Sequence, residues 1–182
     1  MSHLFLIRHG QASFLSDNYD QLSEKGRQQA KVLGEQLASK EIIFDTVISG
    51  DLVRQVDTAK IVANFYAKKK IPFPELQTNL GLNEYPAEEI MTTLGKHLID
   101  SDKDAAELFE NCNSATEESD RHRYFQKLFE IILEYWVQGY GEDIGLSISW
   151  MDWSNKVRDT LRRIMMEAGK SELIGVFTSG GP

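Results

Sequence analysis

The sequence predicts an α/β fold with three layers, α/β/α, around a mostly parallel central sheet. The continuous apolar run at 4–7 and the short segments at 45–49 and 173–178 have the length and composition of buried strands. Segments with apolar residues at helical spacing lie between these runs. Strands that alternate with helices favour parallel neighbours joined by right-handed crossovers.

Each of the first two strands is followed by a capped helix. The strand at 4–7 leads into a polar loop over 11–22, and Ser23 is predicted to cap a helix that ends near residue 39. The strand at 45–49 is predicted to end at Gly50. Asp51 is then predicted to cap a helix whose apolar stripe reaches Tyr66.

The second half is predicted to be mostly helical, with one final strand. Residues 71–86 are predicted to be a loop, with a short strand as the alternative. Short helices and an acidic connection follow over 87–120, and an amphipathic helix over 121–138. A further helix begins at the capping box of Ser149 and Asp152 and ends at Gly169, before the strand at 173–178. We expect a single domain over 1–182 with a helical, acidic insertion at about 87–148. A strand that runs into Gly-Gly-Pro ordinarily continues into another element, so the natural chain is expected to extend past Pro182.

Composition excludes several classes of protein. The chain has 28 acidic and 20 basic residues, a formal charge of -8, which argues against a nucleic-acid-binding surface. No apolar run approaches the roughly 18 residues that cross a bilayer. The lone cysteine, Cys112, and four histidines favour neither disulfides nor a structural metal site. These features predict a cytoplasmic protein without membrane, nucleic-acid or metal partners.

The negative charge is concentrated in one stretch. Residues 1–70 hold 10 basic and 8 acidic residues, a net of +2. Residues 100–120 hold 8 acidic residues and one lysine, a net of -7. If this stretch covers an anion site, it should disfavour highly charged anions.

Three predicted strand ends carry residues suited to an anion. Parallel sheets bind ligands outside the carboxyl ends of their strands. Arg8 is a planar fork for phosphate or carboxylate, His9 can act as acid, base or nucleophile, and Arg54 falls in the first turn of a helix. Taken singly, a histidine at a strand end is more often structural, and arginines are more often surface ion pairs.

The order of these residues within longer motifs resembles the histidine phosphatase superfamily, the phosphoglycerate mutase-like group. The stretches that carry the resemblance are Leu6-Ile7-Arg8-His9-Gly10-Gln11, Leu22-Ser23-Glu24-Lys25-Gly26-Arg27-Gln28-Gln29-Ala30 and Ile48-Ser49-Gly50-Asp51-Leu52-Val53-Arg54-Gln55-Val56-Asp57-Thr58-Ala59. The similarity is dense over 3–66, returns at 80–84 and 173–181, and between 87 and 170 extends only to helical character.

The resemblance implies a role for each of four residues. His9 resembles the nucleophile that carries the phosphoryl group, and Arg8 and Arg54 resemble the arginines that hold the phosphate oxygens. Glu84 resembles the carboxyl group that protonates the leaving oxygen, although Glu88 and Glu89 compete for that role by position. No metal or other cofactor is implied.

Two departures from the family pattern bear on activity. The second family histidine, on the last strand, is replaced by Ser179, which can offer phosphate only a neutral hydrogen bond. Such a bond contributes about 1 kcal/mol against roughly 1.5–3 kcal/mol for a charged donor. In the phosphate loop Ala12 and Leu15 stand where the family has polar residues, and Gln11 and Ser13 are expected to substitute for them.

The sequence therefore predicts a metal-independent phosphatase that acts through a phosphohistidine on His9, with reduced or narrow activity. The alternative is a weak or inactive member that binds a phosphorylated ligand, and the third possibility is a phosphoglycerate mutase-type phosphotransferase. The expected partners are a phosphorylated small molecule or phosphoprotein, with inorganic phosphate as product. The sequence does not specify the oligomeric state.

Overall fold

The sheet has four parallel strands in the spatial order β1-β4-β2-β3. They appear in a computed structural model that describes residues 1–13 and 20–182, so the Leu15 position lies outside the described residues. The strands are β1 (His3–Arg8), β2 (Thr46–Ser49), β3 (Leu76–Thr78) and β4 (Leu173–Thr178). β4 is central and pairs with β1 through Arg8 opposite Thr178 and with β2 through Ser49 opposite Phe177.

Seven helices are found among the described residues. They are α1 (Glu24–Ser39), α2 (Val53–Lys68), α3 (Ala87–Ile90), α4 (Lys96–Ser101), α5 (Lys103–Ser114), α6 (Glu118–Val137) and α7 (Trp150–Glu167), with a π-helical turn over Met91–Gly95 and 3-10 turns over Leu80–Leu82 and Glu142–Ile144. None of these helices is both long enough and apolar enough to span a membrane.

Two compact units make up the chain. The first comprises Met1–Glu84 with Val157–Pro182, and the second is Tyr85–Lys156. The single domain expected from the sequence, with its insertion at about 87–148, stays a prediction.

In the first unit an apolar cluster lies on each face of the sheet. On one face Val47 and Phe177 pack with Val62 and Tyr66 of α2. On the other face Ile174 and Val176 pack with residues that include Ile164 of α7. Apolar side chains on both sides of the strands explain the continuous apolar runs in the sequence. The α/β fold with three layers and a parallel central sheet is therefore confirmed.

The second unit is helical and has an aromatic cluster of its own. Trp136 lies 5.5 Å from the rings of both Tyr85 and Trp150, and Trp150 lies 5.3 Å from Trp153. The indole N–H of Trp136 donates to the Ile148 carbonyl at 3.1 Å, which satisfies the polar end of a buried ring.

Sequence and structure differ over the acidic stretch. The predicted acidic connection is largely helix, because Asp102 caps α5 by accepting hydrogen bonds from the backbone of Asp104 and Ala105. Cys112, in the stretch predicted as an acidic connection, consequently lies on α5. The predicted capping box is confirmed: the Asp152 N–H donates to the Ser149 hydroxyl at 3.1 Å, and that hydroxyl donates to the Asp152 carboxylate at 2.8 Å.

Candidate active site

The carboxyl ends of β1, β2 and β4 meet at one edge of the sheet. The backbone N–H of His9 donates to the Thr178 carbonyl at 2.9 Å, and that of Gly50 donates to the Phe177 carbonyl at 3.2 Å. The parallel pairing of the strands therefore brings together the polar segments that follow them, as the sequence predicts.

The hydrogen bonds of His9 define its tautomer. Nδ1 lies 2.6 Å from the Gly10 carbonyl oxygen, which can only accept, so Nδ1 carries the proton. Nε2 lies 3.2 Å from Nε of Arg54, which can only donate, so Nε2 carries the lone pair. The imidazole thus presents a nucleophilic nitrogen toward a guanidinium group.

The surroundings of His9 favour the neutral ring. Burial is the largest cause that lowers its pKa below 6.5, and the charges of Arg54 and Arg8 add to this effect. The hydrogen bond to Gly10 and the charge of Asp20 act in the opposite direction without reversing it. Nε2 of His9 is therefore unprotonated near neutral pH and accepts the hydrogen bond from Arg54.

Arg54 connects His9 to an acidic residue that sequence reasoning missed. Arg54 is only 5% exposed, and its Nη1 forms an ion pair with the Asp20 carboxylate at 2.8 Å. The same carboxylate accepts hydrogen bonds from the backbone N–H groups of Val53 at 2.9 Å and Arg54 at 3.3 Å. Asp20 thus provides the anion at the N-terminus of α2.

This arrangement corrects two expectations about α2. Asp51 was expected to cap the helix, but the N-cap position is Leu52, whose side chain has no acceptor, and Asp20 supplies the missing acceptor from another loop. Asp51 instead pairs with Asn83, whose amide donates to its carboxylate at 2.6 Å. The helix N-terminus expected to attract a ligand anion is occupied by Asp20.

A cavity of about 470 Å³ opens beside His9. It is lined by Arg8, His9, Gly10, Gln11, Ala12, Lys25 and Gln29. Among the described residues that line it, Arg8, which is exposed, and Lys25, which was not expected at the site, are cations, and none is a carboxylate. Such a lining suits an anionic ligand.

Close contact between two glycines brings α1 against the end of β1. A Cβ atom on Gly10 would lie 2.3 Å from the Gly26 carbonyl oxygen. The backbone N–H of Gln11 donates to Gln29 at 2.8 Å, and the Ser23 hydroxyl donates to the Gln11 carbonyl at 3.1 Å. The phosphate-loop candidate Gln11 is therefore held at the cavity by α1.

The other phosphate-loop candidate lies farther along the same loop. Ser13 donates its backbone N–H to the Gln21 carbonyl at 2.8 Å, and Ala12 forms a bridge with Leu22. Ala12 lines the cavity, whereas Ser13 is not part of the lining described.

Glu84 and Ser179 lie close together after the 3-10 turn and β4. Burial is the largest influence on Glu84 and raises its pKa above 4.5. A hydrogen bond from the Ser179 hydroxyl is the largest opposing influence, followed by the charge of Arg54, a backbone hydrogen bond from Gly181 and the charge of Arg8. The same two arginines also lower the pKa of His9. Arg8, His9, Arg54 and Glu84 therefore share one electrostatic environment.

The remaining candidates have other surroundings. Glu88 is exposed, and Glu89 accepts hydrogen bonds from the backbone and hydroxyl of Ser147 at 2.6 and 2.7 Å. Across residues 1–13 and 20–182, no group of three or more His, Cys, Asp or Glu side chains has an arrangement suited to a metal ion.

Solved structures of phosphoglycerate mutase-like proteins share this fold. Phosphoglycerate mutase from Bacillus anthracis superposes with a TM-score of 0.57 at 20% identity, covering 97% of this chain and 74% of the other. Phosphoserine phosphatase from Entamoeba histolytica, solved with 3-phosphoglyceric acid, gives a TM-score of 0.57 at 18% identity, covering 100% of this chain and 75% of the other.

Curated relatives match a shorter stretch. The mitochondrial serine/threonine-protein phosphatase Pgam5 of Drosophila grimshawi is 42% identical over 64 residues, which is 34% of this chain and 22% of that protein. Pgam5 of Caenorhabditis elegans is 40% identical over 60 residues, 33% of this chain and 21% of that protein. The matches therefore span less than a quarter of these relatives' lengths. Their mitochondrial location contradicts the expected cytoplasmic location, which was wrong.

A family model gives the most extensive match along the sequence. The description of that model is histidine phosphatase superfamily (branch 1), and it matches residues 4–121. The matched range contains His9, Arg8, Arg54 and Glu84, and the fold is the one that the resemblance implies. The chain belongs to the histidine phosphatase superfamily.

Proposed function

We propose that this chain is a metal-independent phosphatase that hydrolyses phosphate monoesters through a phosphohistidine on His9. The observation that carries the proposal is the orientation of the His9 ring. Nδ1–H is bound to the Gly10 carbonyl at 2.6 Å, and the Nε2 lone pair faces the Arg54 guanidinium at 3.2 Å. A nucleophile beside a cation is the arrangement that phosphoryl transfer requires.

In the first step a phosphate oxygen accepts the Nε–H of Arg54 in place of His9. The released Nε2 lone pair attacks phosphorus, and the bond between phosphorus and the ester oxygen breaks. The leaving oxygen takes a proton from the carboxyl group of Glu84, whose raised pKa favours the protonated form. The phosphorylated ring is cationic, and the hydrogen bond from Nδ1 to Gly10 stabilises that charge.

In the second step a water molecule attacks the phosphohistidine. The bond between nitrogen and phosphorus breaks, Glu84 takes the proton from the water, and inorganic phosphate leaves. Arg8 and Arg54 bind the oxygens that carry charge in both steps. Gln11, Ser13 and Ser179 supply further polar contacts, and no step calls for a metal or an organic cofactor.

The substrate is proposed to be a phosphorylated small molecule or a phosphoprotein. The names of related proteins include both kinds: a phosphoserine phosphatase and a glucosyl-3-phosphoglycerate phosphatase among the solved structures, and serine/threonine-protein phosphatases among the curated relatives. The cations Arg8 and Lys25 at the cavity suit an anionic group next to the transferred phosphoryl group.

A panel of phosphate monoesters assayed with the full chain tests this proposal. His9→Ala should abolish the release of phosphate, because it removes the nitrogen that accepts the phosphoryl group. His3→Ala is the matched control, since it removes an exposed histidine at the opposite end of the same strand. Equal activity of His9→Ala and the unmodified chain would contradict the proposal.

A second candidate is a protein that binds a phosphorylated ligand and turns it over slowly or not at all. Ser179 supports this alternative, because its hydroxyl already accepts a hydrogen bond from Gln55 at 2.9 Å and interacts with Glu84. Saturable binding of phosphate or vanadate with negligible hydrolysis across the panel would favour it. A third candidate, a mutase-type transfer, would interconvert phosphoglycerate isomers without releasing phosphate.

A further inference from the structure

Gln55 is a fully buried amide beside the candidate site. The residue lies in the first turn of α2 and is 0% exposed. Its Nε2 donates to the Leu82 carbonyl at 3.1 Å and to the Ser179 hydroxyl oxygen at 2.9 Å. With two acceptors fixed on different segments, the amide has one defined orientation.

The Ser179 hydroxyl is the second member of this chain of contacts. Ser179 is 4% exposed and accepts from Gln55, so its single proton is free to be donated to another group. That group is the Glu84 carboxylate, which the Ser179 hydroxyl stabilises. The hydrogen bonds therefore run in one direction, from amide to hydroxyl to carboxylate.

The backbone around Glu84 is held by the same groups. The Leu82 carbonyl, two residues before Glu84, accepts from Gln55 at 3.1 Å and from the Thr178 hydroxyl at 2.7 Å. Both donors are buried. Gln55 thus contacts the segment that carries Glu84 through its backbone, and Glu84 itself through Ser179.

We propose that Gln55 and Ser179 act as a coupled pair that positions the Glu84 carboxyl group for proton transfer to the leaving oxygen. Gln55 is a positioning residue, because it acts through Ser179 and Leu82. On this proposal, which rests on the phosphatase function, Ser179 serves the proton donor more than the phosphate. Ser179 then belongs to a hydrogen-bond arrangement with Gln55 and Glu84, and its role goes beyond replacing the second family histidine.

The electrostatics of Glu84 agree with this assignment. Burial raises its pKa, and the Ser179 hydroxyl opposes burial more strongly than Arg54 of α2, the Gly181 backbone or Arg8 of β1. Removing the hydroxyl would leave burial less opposed and raise the pKa further. Oε1 of Glu84 is buried with no hydrogen-bond partner among the described residues, which also favours the protonated group.

The experiment compares two substrates in three variants of the full chain. Ser179→Ala removes the hydroxyl, Gln55→Met removes the amide at similar volume, and Thr178→Val is the matched control. That control removes a buried hydroxyl that bonds to the same Leu82 carbonyl but has no contact with Glu84 described. An alkyl phosphate needs its leaving oxygen protonated, whereas p-nitrophenyl phosphate needs this far less.

Ser179→Ala and Gln55→Met should lower kcat/KM for the alkyl phosphate about tenfold more than for the aryl phosphate, a part of the 10²–10⁴ that a general acid contributes. The pH optimum of kcat/KM should move upward, because a higher Glu84 pKa shifts the limb of the profile that Glu84 controls to higher pH. Thr178→Val should show neither effect, and Ser179→Thr, which keeps a hydroxyl, should recover part of the loss. Equal losses on both substrates with an unmoved optimum would overturn the proposal.

A titration separates this proposal from the proposed function. The Glu84 carboxyl carbon, followed by NMR in the ¹³C-labelled chain, should have a higher pKa in Ser179→Ala than in the unmodified chain. An unchanged pKa would overturn the pair even if the protein is an active phosphatase. Activity that survives His9→Ala would instead contradict the phosphohistidine scheme, and the titration would still decide whether Ser179 acts on Glu84.

Discussion

The Asp20 carboxylate lies 2.8 Å from Nη1 of Arg54 and also caps the helix on which Arg54 lies. An acidic group of the chain itself therefore binds the arginine that we propose holds the phosphate. Nη1 cannot serve both anions at its best geometry, so Asp20 and a phosphoryl group compete. Asp20 also keeps Arg54 in place, since the guanidinium donates to His9 from the same position.

Asp20→Asn should bind inorganic phosphate more tightly than the unmodified chain. The substitution removes a competing negative charge, which is worth about 1 kcal/mol or roughly fivefold in affinity, and it keeps an oxygen that can cap α2. Titration calorimetry with phosphate measures the change. Asp51→Asn is the control, because it removes a neighbouring charge that pairs with Asn83; weaker phosphate binding by Asp20→Asn would contradict the competition.

The pKa of His9 predicts the direction of a pH effect on stability. Because burial holds the pKa of the folded group below 6.5, the unfolded chain takes up this proton first as the pH falls. The free energy of unfolding should therefore decrease as the pH drops below 6.5 and be fully regained above it. Urea unfolding at several pH values should show a smaller decrease for His9→Asn than for the unmodified chain, and equal decreases would contradict the assignment.

Most of the fold could be predicted because its signals are local. Buried parallel strands are rich in apolar and β-branched residues, and the segments ending at Ile7, Ser49 and Thr178 have that composition. The meeting of three strand ends then follows from parallel topology. The acidic stretch was harder, because α5 depends on the Asp102 cap and on packing that composition does not reveal.

The parts of the site that escaped prediction depend on contacts between distant segments. Asp20 caps a helix that begins 33 residues later, and nothing in its local sequence marks this partner. Gln55 lies on the buried face of α2, where the sequence predicts an apolar stripe that reaches Tyr66. A polar residue inside an apolar stripe was the available signal, and it has meaning only once Ser179 is seen beside it.

Gly10→Ala should destabilise the protein. The added Cβ would lie 2.3 Å from the Gly26 carbonyl oxygen, so backbone must shift and the β1–α1 contact beside the cavity must open. Overpacking of this kind costs about 1–3 kcal/mol, measurable as a lower urea midpoint. Gly169→Ala is the control, since its Cβ would meet only the Glu172 side chain at 3.4 Å, and an equal effect of both changes would contradict the close-contact explanation.

Ser179→His should not restore a strong phosphatase by itself. The ring would enter a buried space where Gln55 Nε2 lies 2.9 Å from the serine oxygen, and overpacking should lower the free energy of unfolding by about 1–3 kcal/mol. Gln55→Ala combined with Ser179→His should recover stability and exceed either single variant in kcat/KM. A double-mutant cycle measures this coupling, and additive effects would show that the two positions are independent.

Trapping of the phosphoryl group on the protein tests the central claim most directly. The chain is mixed with an aryl phosphate, quenched in alkali during turnover, and its phosphorylated position is identified by mass spectrometry and ³¹P NMR. The account predicts an acid-labile, alkali-stable phosphoryl group on Nε2 of His9, present in His3→Ala and absent in His9→Ala. Turnover with the phosphoryl group on another residue, or with phosphate release that survives His9→Ala, would contradict it.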